Sequence, residues 1–501
     1  MKRVAVLCVK GVADNHTPGG NPMTTSHDFE LVATSEMGAL LSFLERRFAT
    51  DVGEAAASQP VFERELREHL LALERRVHVA DFERLDVDVQ GVVIEGTRLI
   101  RREGKTPGEY MTLAGTIRVE RATYRERGGH GGRTVAPLEL RLGLVDGQWT
   151  LAAAEAACAF MASVPSKEAA QLLKAAGSMA PSSSNLDRLP KRVSEVWESK
   201  RETLEALVRD AERLDLPDPA QVRLIAFGLD GILLPMKSAS RTPGEGKQDT
   251  GPKGYREVGC ASVALYDAQG ERLHTVRFGR MPEHHKVTLH AQLLAEVEAM
   301  RARYPGARLQ AIADGASENW RILGDIAARL GCEIAETLDY FHAVEHLTEG
   351  LRAGGIDDEA LRQWRHTLRD DPDGAEKVIE ELAFRTSALA FSGGAGHKAT
   401  TRELKYFLSQ AGRMDYAAHA AAHEPIGSGV IEAANKTLCA DRMKRSGMSW
   451  LHEGGQAILT LRGQAQSGRL GHAWNALRPT FVKRFEIDPN PQRQTPRRAA
   501  A

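Results

Sequence analysis

The segment Arg308–Trp320, RLQAIADGASENW, is the stretch from which the rest of the chain can be read. Leu309, Ala311 and Ile312 form a short apolar run suited to a buried strand. The run stops at Asp314-Gly315, where a carboxylate reaches the strand's end and glycine lets the chain turn. Upstream, Leu224–Pro235 (LIAFGLDGILLP) repeats the design around Asp230-Gly231. Downstream, Gly427–Lys436 (GSGVIEAANK) reads as a glycine-rich turn entering a helix, with Glu432 in its first turns, where a carboxylate complements the helix dipole. Two aspartates on strands and a glutamate on a later helix can hold divalent cations for phosphodiester chemistry. Hard cations take carboxylate oxygen and need no cysteine or histidine cage.

Working outward, LIAFGLDGILL is followed by a flexible insert (SASRTPGEGKQDTGPKG) and then by two strands joined at Asp267–Gly270, which predicts three antiparallel strands. Helix is expected over Thr288–Tyr304, strand over Leu309–Ala313, helix over Asn319–Leu330 and strand over Glu333–Leu338. Three antiparallel strands followed by alternating helix and strand is the order of a ribonuclease H-like α/β core. In that fold the acids come from the first strand, the fourth strand and a late helix, the places held by Asp230, Asp314 and Glu432. The interval between Tyr340 and Gly427 carries helical patterns and reads as an insertion at about 350–425.

The chain is 501 residues long, 42% hydrophobic and 27% charged, which predicts a multidomain α+β protein with ample core. Residues 1–28 read as disordered and 29–85 as a helical pair, with Leu40, Leu41, Phe43, Leu44 and Phe48 answering Phe62, Leu66, Leu70 and Leu73. Alternation over 86–149, including LELRLGLVDGQW, predicts a small β-rich module. Residues 150–216 read as helical, either a helix-turn-helix or a plain connector. Residues 217–478 hold the catalytic core and 479–501 a basic tail. The five cysteines are scattered with no C-x-x-C pair, which argues against a disulfide framework or a four-cysteine zinc site. No stretch is long and apolar enough for a membrane span, and VAVLCV is too short for a signal sequence, so a cytoplasmic protein is expected. The net charge is −1, but from Ala433 to Ala501 twelve Lys and Arg face four Asp and Glu. Lys436, Arg442, Lys444 and Arg445 follow the glutamate and are expected to track DNA phosphates. The competing placement docks them on the insertion's acids within Asp370–Asp373. Trp320 and Trp450 read as core.

The segments LDG (229–231), ADGASENW (313–320), LDYFHAVEHL (338–347), GSGVIEAANKTLCADRMKRSGMSW (427–450) and GGQAILTLR (454–462) together resemble the DDE transposases of bacterial insertion sequences. The likeness is to the ISKra group and, more distantly, to the Mutator-type lineage, and it runs in order over Val222–Arg478. It implies a DNA transposase that cleaves and joins strands by two-metal phosphoryl transfer, with Mg²⁺, or Mn²⁺ in its place, held by Asp230, Asp314 and Glu432. The expected partner is double-stranded DNA, both element ends and target, engaged by a homo-oligomer. The family's Asp-x-x-His signature is here Asp339–His342. The two side chains share one face of a helix start, and Asp339 is expected to accept a hydrogen bond from His342 behind the metal-binding acids. Upstream, AGTIRVERATYR and PLELRLGL look like the flanks of a zinc ribbon. RGGHGG (127–132) stands where its cysteines belong, so this reads as a cysteine-free remnant. Two other readings fit the same residues: a structure-specific nuclease of the same fold, and a non-catalytic DNA-binding protein derived from a transposase.

Overall fold

A computed structural model describes residues 34–126, 134–177, 179–237, 254–391 and 393–488. The N-terminal segment 1–28, the RGGHGG stretch, nearly all of the insert after the first core strand and the end of the basic tail lie outside the described residues. Over the described residues the protein is mixed α+β with two sheets, and it divides between Leu85 and Asp86 into two compact units. No described helix is long and apolar enough to cross a membrane.

The first unit contains α1 (Thr34–Ala49), α2 (Val52–Ala57) and α3 (Gln59–Leu85). Phe43 stacks on Phe62 with ring centroids 5.5 Å apart. The Arg47 guanidinium lies 4.4 Å from the Phe62 ring centroid and donates to Ala55 O at 2.7 Å, pinning the connection between the long helices. Asp51 caps α2 by accepting from Gly53 N at 2.8 Å. The expected helical pair thus buries Leu40 and Phe43 but leaves Leu41 and Phe48 exposed.

The second unit opens with β1 (Gly91–Ile94), β2 (Thr97–Thr112) and β3 (Gly115–Glu126), an antiparallel meander around Val92, Leu99, Ala122 and Tyr124. The strand expected over LELRL is instead the short helix α4 (Pro137–Leu142). Pro137 presets helical φ where no N–H is needed, and Gly143, at φ 63°, closes the helix in the left-handed conformation. Next come α5 (Leu151–Ser163), α6 (Ser166–Ala175), α7 (Ser183–Ser199) and α8 (Arg201–Glu212), with Thr150 and Ser182 capping α5 and α7. Leu186, Leu189, Val193 and Trp197 form the buried face of α7. They share a core with Met161 of α5 and with Leu234 and Val258 from strands of the second sheet. The β-rich segment and these helices therefore belong to one compact unit with the second sheet, and α6–α7 is built into its core.

That sheet has five strands. β4 (Leu224–Pro235), β5 (Tyr255–Tyr266) and β6 (Arg272–Arg280) run antiparallel; after α9 (Val287–Arg303), β7 (Arg308–Ala313) pairs parallel to β4, and after α10 (Ser317–Leu330), β8 (Ala335–Leu338) pairs parallel to β7. The spatial order is β6-β5-β4-β7-β8. Helices α11 (Tyr340–Ala353), α12 (Asp358–Asp370), α13 (Gly374–Leu389), α14 (Ala395–Gln410) and α15 (Tyr416–Ala421) follow, sharing a core around Leu347, Leu382 and Phe407. α16 (Gly429–Ala434) passes into a π-helical stretch, Asn435–Ala440. α17 (His452–Gln466) and α18 (Leu470–Phe481) close the unit. The expected tail is partly structured: β9 (Glu486–Ile487) returns to pair with β1.

A buried charge cluster locks α8, α9 and the start of α18 together. Arg469, 4% exposed, donates from Nε to Glu212 at 2.8 Å and from both terminal nitrogens to Glu296 at 2.9 Å. Beside it, burial pushes the Glu205 carboxyl up to about 7, although Gln292 donates to it and Arg201 and Arg209 favour its charge. A carboxyl whose folded pKa is raised favours the folded state most below its unfolded value, and the advantage is lost as pH climbs from about 4.5 to about 7. Glu205→Gln should therefore gain stability over the parent at pH 8, by on the order of 3 kcal/mol, and very little at pH 4.5. Urea denaturation at the two pH values measures this, and equal differences at both would remove Glu205 as the cause.

Candidate active site

Alternation along β4 sorts its side chains onto two faces. Ile225, Phe227 and Leu229 pack with Leu293 and Val297 of α9 and Leu323 and Ile326 of α10. Leu224 and Ala226 turn the other way and join Ile312 and Ile431, the last from α16. Gly228 and Asp230 continue this second face. A Cβ at Gly228 would collide with the Ile312 carbonyl oxygen and the Ile431 side chain. Only glycine lets β4, β7 and α16 approach this closely.

Asp230 is half-buried and accepts from Gly231 N at 2.6 Å and from Asn435 Nδ2 at 2.5 Å. Asn435 lies one helical turn after Glu432, so the helix bearing the glutamate touches the first aspartate directly. Asp314 lies just past the end of β7 and accepts from Ala316 N at 3.1 Å and Asn319 Nδ2 at 2.9 Å. The two aspartates are close enough to interact: burial first, then the charges of Asp314 and Glu257, hold the Asp230 carboxyl above its ordinary range, against the Gly231 N–H and Lys286. The Glu257 carboxylate occupies the space that a Cβ on Gly231 would need. Lys286 Nζ bridges Glu257 Oε1 at 2.8 Å and Asn319 Oδ1 at 2.9 Å. Asn435, Asn319, Glu257 and Lys286 are not in the set expected from sequence.

Asp339 is buried and caps α11. It accepts from the backbone N–H of Phe341 at 2.7 Å and of His342 at 3.1 Å, and from Ser428 N at 2.7 Å and Ser428 Oγ. Ser428 Oγ in turn lies 3.5 Å from Glu432 Oε1. Asp339 thus fastens the loop before α16 to the end of β8. The expected bond to the His342 side chain is not made. That imidazole lies 3.6 Å from Glu345 and edge-on to His346, because helix geometry turns it along α11 and away from the cap. His346 stacks on Tyr406, whose ring lies where a Cβ on Gly315 would be, and the Tyr406 hydroxyl is buried without a partner beside Asp314 and Asp339.

No family model matches the chain, and no curated protein matches it at a significant level. Among the described residues, no three Asp, Glu, His or Cys side chains gather into a metal-binding group, so Glu432, which stays exposed, does not close the set with Asp230 and Asp314. Carboxylate oxygen is the donor type a hard cation takes, and Asn435, whose amide nitrogen faces Asp230, has its amide oxygen buried with no hydrogen-bond partner.

The expected phosphate-tracking residues divide. Lys436, Lys444 and Arg445 are exposed, Arg445 pairing with Glu168 of α6 at 3.1 Å. Arg442 is a correction: it is 3% exposed, donates to Met161 O at 3.4 Å and lies over the Trp450 ring at 5.6 Å. Burial, with help from Arg462 nearby, lowers its pKa to about 10. The turn of helix after the π-helical stretch aims it inward. Docking on Asp370–Asp373 is also not found, since Asp370 pairs with Arg369 and Asp371 with Lys377. Trp320 is core, beneath Arg413 at 4.1 Å.

Gly228→Ala should destabilise the second unit by about 1–3 kcal/mol, because the new methyl meets a backbone carbonyl that cannot rotate away. Gly306→Ala, where a Cβ meets open space, should stay within about 0.5 kcal/mol of the parent. Denaturant midpoints of the two variants make the comparison. Equal values would mean that α16 is not held by this close approach.

Proposed function

We propose that this chain is a cytosolic DDE-type DNA transposase, with a ribonuclease H-like catalytic unit that cleaves and joins DNA strands using Mg²⁺ or Mn²⁺. The observation that carries the reading is that Asp230 on β4 and Asp314 just past the end of the adjacent strand β7, distant in sequence, lie near enough for their charges to interact, with the Glu432 helix docked against Asp230 through Asn435. The order of three antiparallel strands followed by two parallel ones supports it. Asp230 and Asp314 would hold the ion; Glu432, the third acid expected from sequence, stands exposed on the docked helix and is not gathered with them. Bound there, the ion supplies the Lewis acidity that phosphodiester displacement needs. The protein's own part is positional: Asn319 fixes the Asp314 carboxylate, Asn435 fixes that of Asp230, and Asp339 through Ser428 sets where α16 begins. Lys436 and Lys444 supply exposed positive charge for the DNA backbone.

The deciding experiment incubates the protein, with Mg²⁺ or Mn²⁺, with duplexes carrying the DNA that flanks its gene. Joined products support transposition, whereas nicks alone support the nuclease reading. Asp314→Asn should lose at least about a hundredfold in cleavage while duplex affinity changes by less than about twofold, since no phosphate-binding charge is removed. A second reading, a DNA-binding protein without catalysis, draws support from the fact that, among the described residues, no third acid gathers with Asp230 and Asp314. It expects duplex binding with no product under any cation.

Lys436→Ala with Lys444→Ala should weaken binding about equally on all sequences and shallow the log–log salt dependence by roughly one for each phosphate no longer neutralised. Arg442→Ala should instead lower thermal stability. An unchanged salt slope in the double lysine variant would take both residues off the DNA surface.

A further inference from the structure

In α1 the stretch Met37–Leu44, MGALLSFL, carries no charge on any side of the helix. The charged residues stand at the two ends, Glu36 in the first turn and Glu45, Arg46 and Arg47 in the last. A helix that is apolar around its circumference needs cover on more than one side. α3 covers one side and buries Leu40 and Phe43: it runs antiparallel, with Phe43 against Phe62 and His69, and Arg47 reaching Ser58 at 2.9 Å and Gln59 at 2.8 Å. One residue further round α1, Met37, Leu41, Leu44 and Phe48 succeed one another at intervals of four, three and four, the spacing of a helix-pairing seam. Met37 is 42% exposed, Leu41 54% and Phe48 83%. On α3, Leu70 follows His69 as Leu44 follows Phe43, and it is 44% exposed. In two antiparallel helices that one-residue step, about 100° of turn, brings both side chains out on the same side of the pair. The apolar side chains buried among the described residues of this unit are Leu40, Phe43, Leu71 and Phe82, a small core for helices of this length. Gly38 flanks the seam. A Cβ there would meet nothing within 4 Å, so no contact inside the chain calls for a glycine, although glycine weakens a helix.

We infer that this seam is a dimer interface, covered by α1 of a second copy of the chain running antiparallel to it. The ends of the helix select that occupant and its direction. Antiparallel pairing sets the acidic first turn beside the partner's net basic last turn and opposes the two helix dipoles, whereas parallel pairing would bring like ends together. About a two-fold axis, Met37 then lies against Phe48 of the partner subunit and Leu41 against Leu44 of the partner subunit, so the seam is complementary to itself. Gly38 lets the two backbones come close. The inference does not depend on the proposed metal-dependent function.

The test is sedimentation equilibrium of the DNA-free full chain, which should show a reversible dimer. Leu41→Lys with Phe48→Lys should raise the dissociation constant at least about a hundredfold, because apolar contacts are lost and like charges are brought together across the seam. Gly38→Gln, whose side chain has room within its own chain, should raise it by on the order of tenfold or more by holding the helices apart. Both variants should keep the parent's circular dichroism, and Leu41→Ser with Phe48→Ser replaces the lysine pair if that one misfolds. Direction is read by mixing Met37→Cys and Phe48→Cys chains in oxidised glutathione: the mixture should form disulfide-linked dimers that neither chain forms alone. A parent that stays monomeric at every concentration, as when another part of the chain covers the seam, overturns the inference. A dimer that the seam variants leave intact overturns it too, and so does self-linking of Met37→Cys.

Discussion

The second unit turns on how closely three backbones can approach at Gly228. With no side chain there, β4 lies against the Ile312 carbonyl of β7 and under Ile431 of α16 at once. Everything at the candidate site inherits its position from this close approach. Asp230 is two residues further along the same face of β4, and Asn435 is one turn beyond Ile431 on the helix. A strand and a helix fixed at one point, each with its own repeat, bring those two side chains to hydrogen-bonding distance.

Two further anchors keep the helix from sliding about that point. At its start Asp339 gathers four donors, two from its own helix and two from Ser428, so the loop entering α16 hangs on the tip of β8. At its far end the buried Arg462 donates to the carbonyls of Leu438 and Thr437 within the π-helical stretch and to Ala162 of α5. A π-turn loosens the regular ladder and frees carbonyls, and a guanidinium with its fork of donors is suited to satisfying them. Arg462 therefore serves as an internal fastener, and Arg442, buried beside Trp450, belongs with the same packing.

Electrostatically the site is a gathering of like charges in partial burial, an arrangement that costs stability unless something positive is near. Nearby Lys286, which stands with His285 in a left-handed turn, pairs with Glu257 and donates to Asn319. The contrast with the Arg469 cluster is instructive. There one guanidinium meets Glu212 and Glu296 through each of its three nitrogens and joins the helices. At the candidate site the pairing is looser, with the Asn435 amide oxygen and the Tyr406 hydroxyl buried without partners.

Apolar runs ending in Asp-Gly located β4 and β7, their antiparallel and parallel neighbours followed from the spacing of helices and turns, and the helix after the glycine-rich turn began where its charge pattern indicated. Such features are local: a strand's alternation, a helix's repeat and a turn's glycine are set by neighbours in the chain. Even locally, LELRL was ambiguous, since its alternation favoured a strand while Pro137 and Gly143 delimited a helix. The tertiary structure alone decided which polar groups meet. Lys286 follows a pair of histidines with no pattern of its own, Glu257 stands on a strand without an Asp-Gly, and Asn435 lies in a stretch read only for its glutamate. Each gains its role from the register of strands and the docking of α16. Arg442 shows the reverse, a basic residue in a basic run that packing turned inward. Charge and periodicity are written along the chain, but burial and partnership depend on distances between segments far apart in it, and those exist only once the chain has folded.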